Sequence, residues 1–140
     1  MRDDIILNKA ADLDRCLERV RTEYFGFESE FETELRRQDS IVLNLTRACE
    51  SAIDLANHLV KTRKLGIPQT SRESFELLQA KGLLSDELCH KMKNMVGFRN
   101  IAIHSYTRIN YAVVRIIVEK DLKDFEVFLS TVLNIASDES

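Results

Sequence analysis

Apolar residues recur along the chain at alternating four- and three-residue steps. Ile6, Ala10, Leu13, Leu17, Val20 and Tyr24 form the first such series, and on a helix that stepping places them on one stripe. Asp12, Arg15, Glu18 and Arg19 fall largely off the stripe, and Gly26 supplies a stop. Ile41, Leu45, Ala48, Ala52, Leu55 and Leu59 repeat the pattern in a second long helix, with Asp39 or Ser40 as its cap. Lys61, Arg63 and Lys64 fall in its last turn, where cations suit the helix dipole. Leu65-Gly66-Ile67-Pro68 then breaks the chain. Thr70 and Glu73 have capping-box spacing and open a short helix through about Ala80. Ser85 caps a fourth helix with Leu88, Met92 and Met95 inside, and a last one runs from near Asn110 through Val114, Val118, Leu122, Phe125, Leu129 and Val132.

No repeat, low-complexity tract or boundary divides the chain, and the polar tail over 136–140 is expected to fray. The prediction is all-α: a single-domain antiparallel helical bundle of about five helices across residues 1–140. A small bundle with a remaining apolar face commonly dimerises, and a homodimer is expected here, although periodicity alone does not show it. Composition agrees with the helical reading, because one Pro and four Gly in 140 residues supply too few turns for an all-β fold. Hydrophobic residues at 44% and charged residues at 31% describe a globular chain rather than a disordered one.

Charge narrows the chemistry. A formal net charge of −3 excludes a polybasic nucleic-acid binder, so any RNA contact must come from a local patch. Cys16, Cys49 and Cys89 are odd in number and widely spaced, which argues against a disulfide framework or zinc site and for a reducing cytoplasm. The acidic Met1-Arg2-Asp3-Asp4 start is unlike a signal peptide, and no run is long enough for a membrane span.

The most informative stretch is Gly97-Phe98-Arg99-Asn100-Ile101-Ala102-Ile103-His104-Ser105-Tyr106. An imidazole can accept the proton of an RNA 2′-hydroxyl, and an imidazolium can donate one to the leaving oxygen. A guanidinium can grip the scissile phosphate and stabilise the added charge of the transition state. Neither step calls for a metal, and no carboxylates cluster at ligand spacing. On one helix, however, Asn100 and His104 share a face while Arg99 lies about 140° from His104. Arg99 and His104 therefore converge only if the helix ends between them or if two protomers contribute. Taken alone, an Arg-x-x-x-x-His spacing is common, and a Tyr past a helix end is ordinarily a packing residue.

The full run from Met95 to Tyr106 resembles the signature of HEPN-domain toxins of the HepT type: Arg, a polar residue, three more residues, His, any residue, Tyr. The likeness extends to residues 39–45, to Asp54-Leu55-Ala56-Asn57-His58, to Leu65-Gly66-Ile67-Pro68-Gln69 and to Ser74-Phe75. It implies a dimeric helical bundle with both motifs in one cleft, acting as a metal-independent endoribonuclease. It also implies the toxin role in a bacterial type VII-like toxin–antitoxin pair, whose antitoxin is a minimal nucleotidyltransferase of the MntA type. Carried over, the resemblance makes Arg99 and His104 catalytic and Asn100 supportive. Tyr106 becomes the residue that receives AMP, which sets charge and bulk beside Arg99. No cofactor is implied. An alternative from another class is a non-catalytic HEPN helical partner that binds and regulates a nucleotidyltransferase; a third is a helical oligomerisation domain.

Other residues carry less. Arg108 is close enough to the motif to extend a phosphate-binding surface. His58, near the second stripe, and His90, among polar neighbours, read as structural or solvated, and the three cysteines as small core or boundary residues. Helix-end solvation accounts for Lys61, Arg63 and Lys64 as well as RNA contact does, and the same holds for Lys91 and Lys93.

Overall fold

A computed structural model of the chain describes residues 3–138, and every regular element among them is helical. The elements are α1 (Asp4–Tyr24), α2 (Leu35–Thr62), α3 (Ser71–Ala80), α4 (Asp86–His104), a 3₁₀ turn at Tyr106–Arg108, α5 (Tyr111–Ile116), a π turn at Ile117–Asp121 and α6 (Leu122–Asp138). The predicted stripe of α1 is buried throughout, from Ile6 to Tyr24. Asp3 caps this helix by accepting from the amides of Ile5 and Ile6 at 3.1 and 3.2 Å.

Helix α2 starts earlier than its sequence suggests. Asp39 and Ser40 are not its cap: Glu34 takes that position without a side-chain bond, and the helix begins at Leu35. The reason lies in the preceding turn, where the Glu34 amide already bonds the Glu30 carbonyl at 2.9 Å. The amides of Arg37 and Gln38 then donate to the Glu34 carbonyl at 3.1 Å. The turn is anchored by Phe31, which is fully buried between the rings of Tyr24 and Tyr111. The other end of α2 also shifts, since its last residue is Thr62 and Arg63 and Lys64 lie beyond it.

α1 and α2 run antiparallel. Arg37, near the start of α2, donates to the Glu23 carbonyl at the end of α1 at 2.7 Å. His58, near the end of α2, meets the Asp3 cap at 2.8 Å. The stripe of α2 is wider than the alternating steps imply, because Val42, Cys49, Ile53, Ala56 and Val60 are buried as well. This helix is central, with α1 on one side and α3, α4 and α6 on others.

The helices α3 and α4 begin at their predicted caps. Thr70 accepts from the Glu73 amide at 3.2 Å and Ser85 from the Leu88 amide at 3.1 Å. Phe75 of α3 meets Phe128 of α6 edge to face at 5.6 Å between centroids, closing the far side of the core. The predicted last helix is interrupted: a π turn takes an extra residue and changes the phase of the helix, leaving both Ile117 and Val118 buried. Helical geometry continues through Asp138, into the stretch expected to fray, while Glu139 and Ser140 lie outside the described residues. Among the described residues no helix is long and apolar enough to cross a membrane.

Candidate active site

Helix α4 delivers the motif. Its buried residues Leu88, Cys89, Met92, Met95, Val96 and Ala102 fix which side faces the core. Cys49 of α2 reaches the Met95 carbonyl of α4 at 3.5 Å, one turn before Arg99. That contact sets the register in which Arg99 meets the next residue of α2. Arg99 Nε donates to Glu50 Oε1 at 2.7 Å and Nη2 to Glu50 Oε2 at 3.3 Å. Nη1 donates to Asn100 Oδ1 at 2.7 Å. The hydrogen bond that Arg99 donates to Glu50 raises the pKa of Arg99 against the opposing effect of burial, so the guanidinium keeps its charge.

His104 is the last residue of α4 and is exposed. The helix does not end between Arg99 and His104, so the route to their convergence within one chain is closed. Their phase difference keeps the side chains apart around the axis. After His104 the chain turns sharply, with the Ser105 amide still bonded to the Ile101 carbonyl at 2.9 Å. The Arg108 amide then bonds the Ser105 carbonyl at 2.8 Å.

That turn swings Tyr106 back towards α2, where its hydroxyl donates to Asp39 Oδ1. The Asp39 carboxylate, burial and the neighbouring Tyr111 together push the phenol well above its ordinary pKa. The residue nonetheless stays 44% exposed, enough to be reached from outside. Arg108 is exposed at the rim of a 380 Å³ cavity lined also by Phe98, Ile101, Ile109 and Val113.

The structure thus joins Arg99 to Asn100 and Glu50, and ties Tyr106 to Asp39, three turns earlier on α2, while His104 stands at the helix end, bonded to none of these. Neither Glu50 nor Asp39 is legible as a site residue in the sequence: Asp39 reads there as one of two possible helix caps, and nothing in local spacing reveals that Glu50 faces Arg99 across two helices. His58 is partnered by Asp3, as expected of a structural histidine, and His90 is exposed beside Asn94. Cys16, Cys49 and Cys89 are free and buried. Among the described residues no group of three or more His, Cys, Asp and Glu side chains could hold a metal ion.

The family described as ribonuclease HepT-like matches residues 13–132, most of the bundle and the whole motif. The chain belongs to the HepT-like ribonuclease family. The mRNA nuclease HepT of Shewanella oneidensis is 45% identical to this HepT-like chain over 130 residues, 93% of this chain and 97% of that one. A tri-AMPylated HEPN toxin of the same organism, solved in complex with an MNT antitoxin, superposes with a TM-score of 0.90. The two are 44% identical, with 94% of this chain and 98% of that chain covered. A toxin–antitoxin solved with AMP-PNP also gives 0.90, at 43% identity over 94% of this chain and 99% of that one. These structures carry the same all-helical fold, so the HepT-like chain places its motif on the same kind of scaffold.

Proposed function

We propose that this chain is the toxin of a bacterial type VII-like toxin–antitoxin pair and a metal-independent endoribonuclease of the cytoplasm. The observation that carries the reading is the intact set Arg99, Asn100, His104 and Tyr106 at the outward end of α4, in a chain of this family. One straight helix holds Arg99 and His104 out of phase, so the working site is a homodimeric cleft supplied by two copies of α4. Exposed Ile101 and Ile103, on the same last turns as the motif, give that dimer an apolar contact.

In such a cleft one His104 imidazole accepts the 2′-hydroxyl proton, and the freed oxygen attacks the adjacent phosphorus. The P–O bond to the next nucleotide breaks, and the imidazolium of the other His104 protonates the leaving 5′-oxygen. The products are a 2′,3′-cyclic phosphate and a 5′-hydroxyl. Arg99 holds the non-bridging oxygens as their charge increases, Asn100 steadies Arg99, and Arg108 extends the surface that meets the RNA backbone.

Silencing follows from Tyr106. A nucleotidyltransferase antitoxin of the MntA type transfers AMP from ATP to the phenol oxygen, releasing pyrophosphate. The adenylate adds negative charge and bulk where RNA phosphate must enter. The related toxin solved as a tri-AMPylated complex supports this reading.

The test is cleavage of RNA by the purified chain in excess chelator, beside Arg99→Ala and His104→Ala. Wild type cleaves and leaves cyclic-phosphate ends, and each variant loses on the order of 10²–10⁴-fold in rate. Equal cleavage by wild type and His104→Ala would remove the assignment. Absence of cleavage by unmodified wild type would favour a non-catalytic partner of the nucleotidyltransferase.

A further inference from the structure

We propose that Glu50 is a positioning residue for RNA cleavage: its carboxylate fixes the Arg99 guanidinium so that one defined pair of N–H groups meets the scissile phosphate. The proposal deepens the reading of Arg99 as the phosphate-binding group and rests on it.

The argument is a count of donors. A guanidinium has five N–H groups in one plane, one on Nε and two on each terminal nitrogen. Glu50 takes the Nε proton at 2.7 Å and one from Nη2 at 3.3 Å. Asn100 takes one from Nη1 at 2.7 Å. Two remain, one on each terminal nitrogen, available to the oxygens of a phosphate. The side chain of Arg99 is 20% exposed, so its stem is packed while these donors remain to be offered.

Rotamer freedom makes the fixation useful. A free arginine samples many orientations, and arresting it costs entropy at the moment substrate binds. Here Glu50 and Asn100 have already arrested it before RNA arrives, so the donors wait at the site where charge develops. Glu50 is itself placed by the α2–α4 packing, because the neighbouring Cys49 contacts the Met95 carbonyl. A carboxylate beside the site also works against initial RNA attraction. Neutralising Glu50 therefore separates the two roles: a positioning role predicts a fall in kcat, a merely electrostatic one only tighter RNA binding.

The decisive measurement is steady-state cleavage by Glu50→Gln, Glu50→Asp, Arg99→Ala and the double variant Glu50→Gln/Arg99→Ala, with thermal unfolding recorded for each. The expected result is a kcat loss of about 10- to 100-fold for Glu50→Gln, with KM for RNA unchanged or lower because one negative charge is gone. Glu50→Asp keeps the charge on a shorter arm and recovers part of the loss. The double variant is no slower than Arg99→Ala alone, because both changes act through one guanidinium. The ion pair is partly exposed, at 20% and 39% for its two side chains, and Gln keeps an acceptor for Arg99, so Glu50→Gln unfolds close to wild type. Wild-type kcat in folded Glu50→Gln overturns the proposal, as does a loss confined to KM. If Glu50→Gln fails to fold, Glu50→Asp decides: an intermediate kcat upholds positioning and an unaltered one overturns it. Full activity in Arg99→Ala would instead sink the underlying site assignment, a distinct result.

Discussion

Tyr106 is held and available at once. Its hydroxyl is engaged by Asp39, yet nearly half of the residue remains in solvent. A carboxylate that accepts from a phenol stabilises the neutral form, hence the upward shift. Asp39→Ala should bring the Tyr106 phenol down towards the ordinary value near 10. Titration of ¹³C-labelled tyrosine by NMR reads this directly, and an unmoved resonance midpoint would show that Asp39 is not the cause. Tyr24 carries the same sign, since burial and its hydrogen bond to Glu119 push it up to about 12. A folded-state pKa above the unfolded one gives stability that is complete below the unfolded value and lost as pH rises through the folded one. Urea midpoints should therefore hold up to about pH 10 and then decline towards about pH 12. A flat profile over that window would contradict the assignment.

The motif could be read from local sequence, but its neighbours could not. Arg99, Asn100, His104 and Tyr106 sit within eight consecutive positions, where residue type and spacing are visible together. Glu50 is 49 positions from Arg99 and Asp39 is 67 from Tyr106. Such pairs depend on how helices are laid against each other, which periodicity within one helix does not encode.

Among the elements, α4 has the most exacting task, because its rotation about its own axis decides where Arg99 and His104 point. Its start was legible: Ser85 stands before an acidic first turn of Asp86 and Glu87, and the cap forms as expected. Ser85→Ala should cost about 1 kcal/mol, measured as a lower urea midpoint, while kcat at saturating RNA stays at the wild-type value. A fall in kcat comparable with that of Arg99→Ala would mean that the cap also steers the motif. The start of α2 misled because Asp39 and Ser40 are good capping residues. Backbone bonding out of the Phe31-anchored turn had already begun the helix and left Asp39 for Tyr106. Likewise the π turn within the last helix has no period of its own to read, because Val114, Val118 and Leu122 fit an ordinary helix.

For the whole molecule, the central question is how two copies make one site. Dimers mixed from wild type and His104→Ala, after unfolding and refolding together, should lose on the order of 10²–10⁴-fold in rate, because the one cleft then holds a single imidazole for two proton transfers. Half of the wild-type rate or more, with mixed dimers demonstrated by mass, would oppose the shared cleft. Ile103→Asp places a charge on the exposed apolar turn next to His104. It should yield monomers by light scattering and lose cleavage with them. An active monomer would show that one chain suffices.

The sequence by itself determined the helices, their inward stripes, most of their caps and the chemical identity of the motif. Those properties depend on side-chain type and on separations of three to eight residues, a range in which helix geometry is fixed. Tertiary structure decided the partners. It turned Asp39 from a cap into the acceptor for Tyr106, brought Glu50 under Arg99, and kept His104 on an unbroken helix facing away from Arg99. The first two follow from the packing of α2 against its neighbours, where small shifts in register exchange one side-chain contact for another.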